Sequence, residues 1–415
     1  MIFRARIVVP VSRPPIDDGA VCIAGERVTW VGRYSELPSA HVHGETIDLG
    51  EVILLPGLIN AHCHLDYTAM AGMIPPPRSF ADWIKAMVAV KAAWTLSDYA
   101  ASWQKGAAML LRHGTTTVAD IETIPELIPS AWRQTPLRVI SFREMLNVRS
   151  RLPAAEIVQQ AVNDWLGVSG GEGRVGLSPH APYTTTRELL EHSARAAHRR
   201  GWRLTTHVAE SEQEFEMFMY RQGALYDWLK SQRDVSDCGL GSPVQHLERC
   251  GYLDENLLAV HVNYLWRHDA ALLAQHRVSV AHCPQSHDYF QHLRFPRAEL
   301  ESAGVNICLG TDSLATTRQK NGRAVELSLF DEMRAFSAKS PAVPHENILR
   351  MVTVNAAAAL GMTGTIGELA PEARADVITI PFHGDSRDVF EQIVQHSGAV
   401  DAVMIDGKWA SAPGK

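Results

Sequence analysis

With 415 residues, 46% of them hydrophobic and 20% charged, the chain can bury a large core and has the composition of a soluble globular protein. A formal net charge of −7 argues against a partner recognised through its phosphate backbone, so no nucleic acid is expected, although a small nitrogen heterocycle is not excluded. No apolar run approaches a membrane span, and six scattered cysteines without a C-x-x-C pair suit a reducing cytoplasm better than a disulfide framework.

The chain opens MIFRARIVVPVSRPP, a short apolar run interrupted by Arg4 and Arg6 that does not read as a signal peptide. ARIVVPV, GAVCIAGERVTWVG and EVILLPG then read as short β segments between turns, as do ADVITIPF and AVMIDGKWA near the other end. Neither end is large enough for a core of its own. Residues 1–55 and 363–415 are therefore expected to pair into one small β-sandwich domain flanking a unit of residues 56–362.

That central unit begins with GLINAHCHLDY (57–67), an apolar run that ends on His62 and His64. Alternate residues of a strand share a face, so His-x-His aims two imidazoles at one spot, half of a metal site. The competing reading is a pair of strand histidines with solvent or hydrogen-bonding roles. Cys63, between them, points the other way and reads as a small buried apolar residue. DYAASWQKGAAMLLRHG (98–114) has a helical pattern, and TTTVADI follows as a β run. LRVISFREML (137–146) and RVGLSPHAPY (174–183) are β-like, the second followed by helical RELLEHSARAAHRRG. RLTTHVAES (203–211) precedes a helical stretch from about 212 to 230. LLAVHVNYL (257–265), helical HDAALLAQHR, VSVAHCPQS (278–286) and VNICLGTDS (305–313) complete the series.

Eight β runs alternating with helices predict an α/β fold, a closed (β/α)8 TIM-type barrel. An open doubly wound sheet would want a glycine-rich phosphate loop after its first strand, and none is present. The histidines and acids fall at matching ends of these runs. His62 and His64 close the first, His180 follows the fourth, and His207 closes the fifth with Glu210 behind it. His261 lies in the sixth, His282 in the seventh and Asp312 at the end of the eighth. In a barrel all of these open onto the C-terminal face, where the active sites of this fold lie. Any one alone is more often a hydrogen-bonded core residue; the set points to a metal-dependent site.

PGLINAHCHLDY, THVAESE, AVHVNYL, AHCPQSH and LGTDS together resemble the amidohydrolase superfamily. Within it they are most similar to the one-metal aminohydrolases and chlorohydrolases of nitrogen heterocycles, among them deaminases of adenosine derivatives and s-triazine hydrolases. The resemblance spans nearly the whole chain. It implies that His62, His64, His207 and Asp312 hold one divalent ion per chain, with zinc suited to three imidazoles and a carboxylate and Fe²⁺ or Mn²⁺ left open. Two-metal members carry a bridging lysine on the fourth strand, and RVGLSPHAPY offers none.

The implied chemistry is attack by metal-activated hydroxide on an amine-bearing ring carbon. Asp312 would take the water's proton, His261 would orient the nucleophile, and Glu210 would protonate the ring nitrogen and serve the departing ammonia. The competing reading of Glu210 is a surface acid in ESEQEFE, where Glu212 and Glu214 read as solvated helix residues. His180 and His282 are implied substrate contacts, against mutual or backbone hydrogen bonding. Trp83 in SFADWI (79–84) would stack on a purine or else belong to the core, and Arg143 and Glu144 would hold a polar tail or a ribose or else form a structural ion pair. Ser286 of CPQSH joins the substrate set, and His287 departs from the asparagine that relatives usually carry there. The expected function is deamination of a purine-type small molecule, with HVAESEQEFEMF, SPVQHL and CPQSH leaning toward relatives that act on 6-aminodeoxyfutalosine. A chlorohydrolase of an s-triazine is the alternative enzyme; a non-catalytic scaffold would have lost ligands that this chain keeps. A cytoplasmic enzyme without a membrane partner is expected, with a homodimer left open.

Overall fold

The computed structural model describes residues 1–39, 44–75, 79–148, 150–166, 168, 174–317 and 325–413. Five strands come first: β1 (Ile2–Val8), β2 (Ile16–Ala24), β3 (Arg27–Arg33), β4 (Thr46–Asp48) and β5 (Val52–Pro56). Eight strands of the central unit follow: β6 (Leu58–Cys63), β7 (Thr115–Glu122), β8 (Arg138–Met145), β9 (Val175–Pro179), β10 (Arg203–Val208), β11 (Leu257–His261), β12 (Ser279–His282) and β13 (Asn306–Leu309). The chain ends with β14 (Val377–Pro381), β15 (Ala402–Ile405) and β16 (Lys408–Ser411).

The two ends of the chain share one mixed sheet in the order β16-β15-β14-β5-β1-β2-β3, with β4 beside β1. Its central joint is the antiparallel β5–β14 pair, where Ile53 faces Ile380 and Leu54 faces Thr379. Strand alternation divides the burial. Leu54 enters the small domain's core with Phe3, Val21 and Met404, while Ile53 and Leu55 join the large cluster shared with the central unit.

Strands β6 to β13 run parallel and pair in sequence order, as the alternation of β runs and helices predicts. The barrel closes where β6 meets the end of β13, through the Cys63–Asp312 bridge. There the Thr311 and Asp312 N–H groups both donate to the His62 carbonyl, at 3.0 and 3.1 Å. Gly310 is what lets these strands approach: a Cβ on it would lie 2.7 Å from the His62 carbonyl oxygen. Between the helices and the barrel, strand residues are buried almost without exception, which is why β9, β11 and β12 read as mainly apolar runs rather than alternating ones, although β7 is as buried with its Thr, Asp and Glu residues.

The helices begin and end on ordinary signals. Thr95 and Asp98 form a capping box for the helix Leu96–Arg112. Thr186 caps Arg187–Arg200, which stops at Gly201 in the left-handed conformation. A short helix that the sequence pattern had not signalled, Val389–Gln395, buries Val389, Ile393 and Val394 against the helices Leu329–Lys339 and His345–Met351. Arg138 of β8 reaches across to Asp376 and Asp406, a buried ionic tie between barrel and small sheet. Among the described residues no helix is long and apolar enough to cross a membrane.

Candidate metal centre and catalytic cavity

The strand tips that carry the candidate residues bend sharply. Ala209, His261, Val262 and Asp312 all have positive φ, between 50° and 74°, a region that residues with side chains adopt at a cost of about 1–3 kcal/mol each. Hydrogen bonds between neighbouring tips hold them: Val262 N–H donates to Val208 O at 3.0 Å and Asn263 N–H to Ala209 O at 2.9 Å. Among the described residues, four of the twelve non-glycine positions with positive φ thus fall at these strand tips.

His62, His64 and His207 converge there, their donor atoms all within 4.8 Å of one another. His64 Nε2 and His207 Nε2 are 3.3 Å apart, and Asp312 Oδ1 lies 3.7 Å from the Nε2 atoms of both His62 and His64. His207 Nδ1 donates to the His180 carbonyl at 2.8 Å, which leaves its Nε2 lone pair facing the cluster. His62 Nε2 is buried with no hydrogen-bond partner, and so is His64 Nδ1. Burial, reinforced by the neighbouring imidazoles, holds His64 well below its ordinary pKa and pushes His207 down to about 3. Burial alone would raise Asp312, but the surrounding His62, His261 and His64 outweigh it and keep the carboxyl well below its usual range. Three buried imidazoles, two of them with a ring nitrogen left without a protein partner, beside a carboxylate are the donor set of a zinc site, so these residues fit a divalent ion.

Ser286 and Thr316 fix the Asp312 carboxylate from behind. Ser286 Oγ donates to Oδ2 at 2.6 Å and Thr316 Oγ1 at 3.1 Å. Ser286 therefore reaches the centre through Asp312 and does not line the space above it.

That space is a cavity of about 500 Å³, within the usual range for a small-molecule site. His64, His180, His207, Glu210, His261 and Asp312 face it from the barrel end. Trp83, Ile84, Met87, Trp228 and Leu229 supply apolar wall, and Lys91 and Glu144 lie at one side. Glu210 is buried, with Oε1 3.6 Å from His261 Nε2. Burial, followed by the nearby Asp312 and Glu214 carboxylates, pushes its pKa well above the ordinary glutamate range. His180 turns its Nδ1 to Thr184 Oγ1 at 2.7 Å. The Trp83 indole packs beside Phe80 and Phe290, and its N–H is buried without a partner.

Two candidates lie elsewhere. His282 stacks on Phe295, with ring centroids 3.8 Å apart, and faces a separate recess with His287 and His292. Arg143 donates to Asp164 at 3.0 Å and to the carbonyls of Thr123 and Glu144, in a neighbouring cavity. One expectation is corrected outright. Glu212 is exposed as expected, but Glu214 has no exposed surface, because its carboxylate turns inward and accepts the Glu210 N–H at 2.9 Å. The available signal was the spacing Ser211-x-x-Glu214, that of a capping box whose fourth residue folds back on the chain. Glu144, expected with Arg143 at the end of its strand, does line the cavity, whereas Thr316 and Lys91 had no such signal.

Residues 53–410 match the profile of the Amidohydrolase family. The chain is 30% identical to a 5-methylthioadenosine/S-adenosylhomocysteine deaminase from Moorella thermoacetica, over 100% of this chain and 95% of that one. Its fold is similar to that of Helicobacter pylori aminofutalosine deaminase in complex with methylthio-coformycin (TM-score 0.86, 20% identity, 99% of each chain covered). It is also similar to that of an atrazine chlorohydrolase from Arthrobacter aurescens complexed with zinc (TM-score 0.81, 22% identity, 98% of this chain and 94% of that one).

Proposed function

The chain belongs to the amidohydrolase family, and from that premise we propose that it is a zinc-dependent aminohydrolase that converts a 6-aminopurine nucleoside derivative to its 6-oxo form and releases ammonia. The observation that carries this reading is the placing of a buried Glu210, 3.6 Å from His261, around the same largely apolar cavity as the histidine cluster.

In this reading His62, His64, His207 and Asp312 hold the ion, and the absence of lysine from β9 supports one ion rather than two. When bound, the metal supplies a water whose pKa is lowered to about 7, so that a nucleophile is available at neutral pH. Asp312 takes the proton lost by that water, with Ser286 and Thr316 keeping its carboxylate in place. His261 orients the attacking oxygen. Glu210 gives its proton to the ring nitrogen next to the reacting carbon, which makes that carbon electrophilic. The proton held by Asp312 leaves with the amine, and Glu210 is recharged as the 6-oxo ring settles. The sum is amine plus water giving ketone-form ring plus ammonia. Trp83 offers a flat apolar face to the purine, and the wall of Ile84, Met87, Trp228 and Leu229 supports a weakly polar 5′ substituent, such as a methylthio or aryl group.

The test is an ammonia-release screen over 5′-methylthioadenosine, S-adenosylhomocysteine, 6-aminodeoxyfutalosine, guanine, pterins and chlorinated triazines. Deamination of at least one adenosine derivative, lost on chelation and regained with zinc, is expected. Turnover of chlorinated triazines with every aminopurine inert would replace the reading with dechlorination.

A further inference from the structure

The peptide that carries Glu210 is gripped on both sides by buried polar groups. Its N–H donates to Glu214 Oε2 at 2.9 Å, and its carbonyl accepts from Asn263 Nδ2 at 2.9 Å. Asn263 is itself oriented by His287, whose Nδ1 donates to Asn263 Oδ1 at 3.0 Å. Glu214 is 0% exposed and Asn263 4% exposed, and Glu214 makes no ion pair among the described residues. Burial pushes the Glu214 carboxyl up to about 8, and its hydrogen-bond partner there is the backbone of the proposed acid.

The arrangement departs from an ordinary helix start. Ser211 caps the helix Glu212–Tyr220 and accepts from the Glu214 N–H, as a capping box requires. In a capping box the Glu214 side chain would return to the Ser211 N–H. It instead reaches one residue further back, to Glu210. Ala209, just before, has φ +51°, and its carbonyl is tied to Asn263 N–H. The bend at Ala209 therefore aims Glu210 at the cavity, and Glu214 and Asn263 close on the peptide that follows it.

We propose that Glu214 and Asn263 are positioning residues for the reaction: together they lock the Glu210 peptide so that its carboxyl projects over the histidine cluster toward the ring to be protonated. This rests on the acid role given to Glu210 above. Loss of either grip leaves the ligands His62, His64 and His207 in place but lets the acid drift, and a displacement of about 1 Å at a reacting group costs on the order of 100-fold in rate.

The experiment compares Glu214→Ala in two backgrounds, the parent enzyme and Glu210→Gln, with zinc content and steady-state turnover of 5′-methylthioadenosine measured for each. In the parent, kcat falls about 10- to 100-fold while zinc content is retained and KM moves little. Glu214→Gln keeps an acceptor oxygen for the Glu210 N–H and restores most of that loss. In the Glu210→Gln background Glu214→Ala costs nothing more, because the group it positions is already disabled. An equal fold-loss in both backgrounds, or unchanged kcat in Glu214→Ala, overturns the proposal. Should Glu214→Ala not fold, Asn263→Ala removes the opposite grip and is judged by the same two outcomes. Full activity of Glu210→Gln alone would show that the acid role has failed, and the clamp with it.

Discussion

Gly310→Ala adds one methyl group at the seam where the barrel closes. Its Cβ would stand 2.7 Å from the His62 carbonyl oxygen and 2.8 Å from the His62 N and Cβ, where ordinary contacts begin at 3.4 Å. The His62 backbone must therefore retreat by about 0.6–0.7 Å, several times the roughly 0.2 Å tolerance of a metal–ligand distance. It cannot retreat freely, since its carbonyl also accepts from Thr311 and Asp312, so the strain passes to the candidate ligands at both strand ends. Overpacking of this kind costs about 1–3 kcal/mol, or roughly 5- to 150-fold if it falls on the zinc-bound state. Competition with a chromogenic chelator should show zinc affinity weakened by at least about fivefold, with kcat reduced even at saturating zinc. Gly201→Ala is the control. Gly201 has φ +64° but open space around a Cβ, so alanine there should cost about 1 kcal/mol of stability and leave zinc affinity unchanged. Parent-like zinc affinity and turnover in Gly310→Ala would refute the argument that this seam sets the ligand geometry.

Two further outcomes are expected. His62→Ala removes the ligand atom that is buried without a protein partner, and elemental analysis should find the ion lost, with activity lost in parallel. Burial pushes Glu332 up to about 8 although Gln285 donates to it twice, so the folded state holds a proton that the unfolded glutamate, at about 4.5, releases. The stability that this proton confers is complete below about pH 4.5 and is lost as pH rises through 8. Denaturant titrations should show Glu332→Gln flattening the pH dependence across that window, by an amount on the order of a few kcal/mol. An unchanged slope would mean that Glu332 titrates normally.

The barrel was legible because parallel strands covered on both faces are mostly apolar, and six of the eight runs carry a histidine or aspartate at or just past their ends, where a strand tip tolerates one. The convergence of His62 and His64 followed from the two-residue period alone. Other positions needed the third dimension. Arg143 and Glu144 are neighbours on β8, so alternation sends them to opposite sides; which of them faces the cavity depends on a register that the sequence does not show. Glu144 faces it, and Arg143 turns to Asp164. His282 ends its strand as His207 does, yet stacks on Phe295, a residue thirteen positions on whose approach no local pattern signals. Glu214 was misread because ESEQEFE has the composition of a solvated face, while the backbone N–H that draws its carboxylate inward belongs to a bend at Ala209. The helix Val389–Gln395 is too short for its periodicity to stand out from the loop around it.

The central claim is a division of labour, in which His62, His64, His207 and Asp312 hold the ion and Glu210 delivers the proton. Glu210→Gln tests it most directly, with zinc per chain and kcat on an adenosine derivative measured on the same preparation. The amide keeps the side chain's size but has no proton to give, and general acid–base assistance is worth about 10²- to 10⁴-fold. The account predicts zinc near one per chain, as in the parent, with kcat reduced by about that factor. Parent-like turnover, or loss of zinc together with activity, would contradict it.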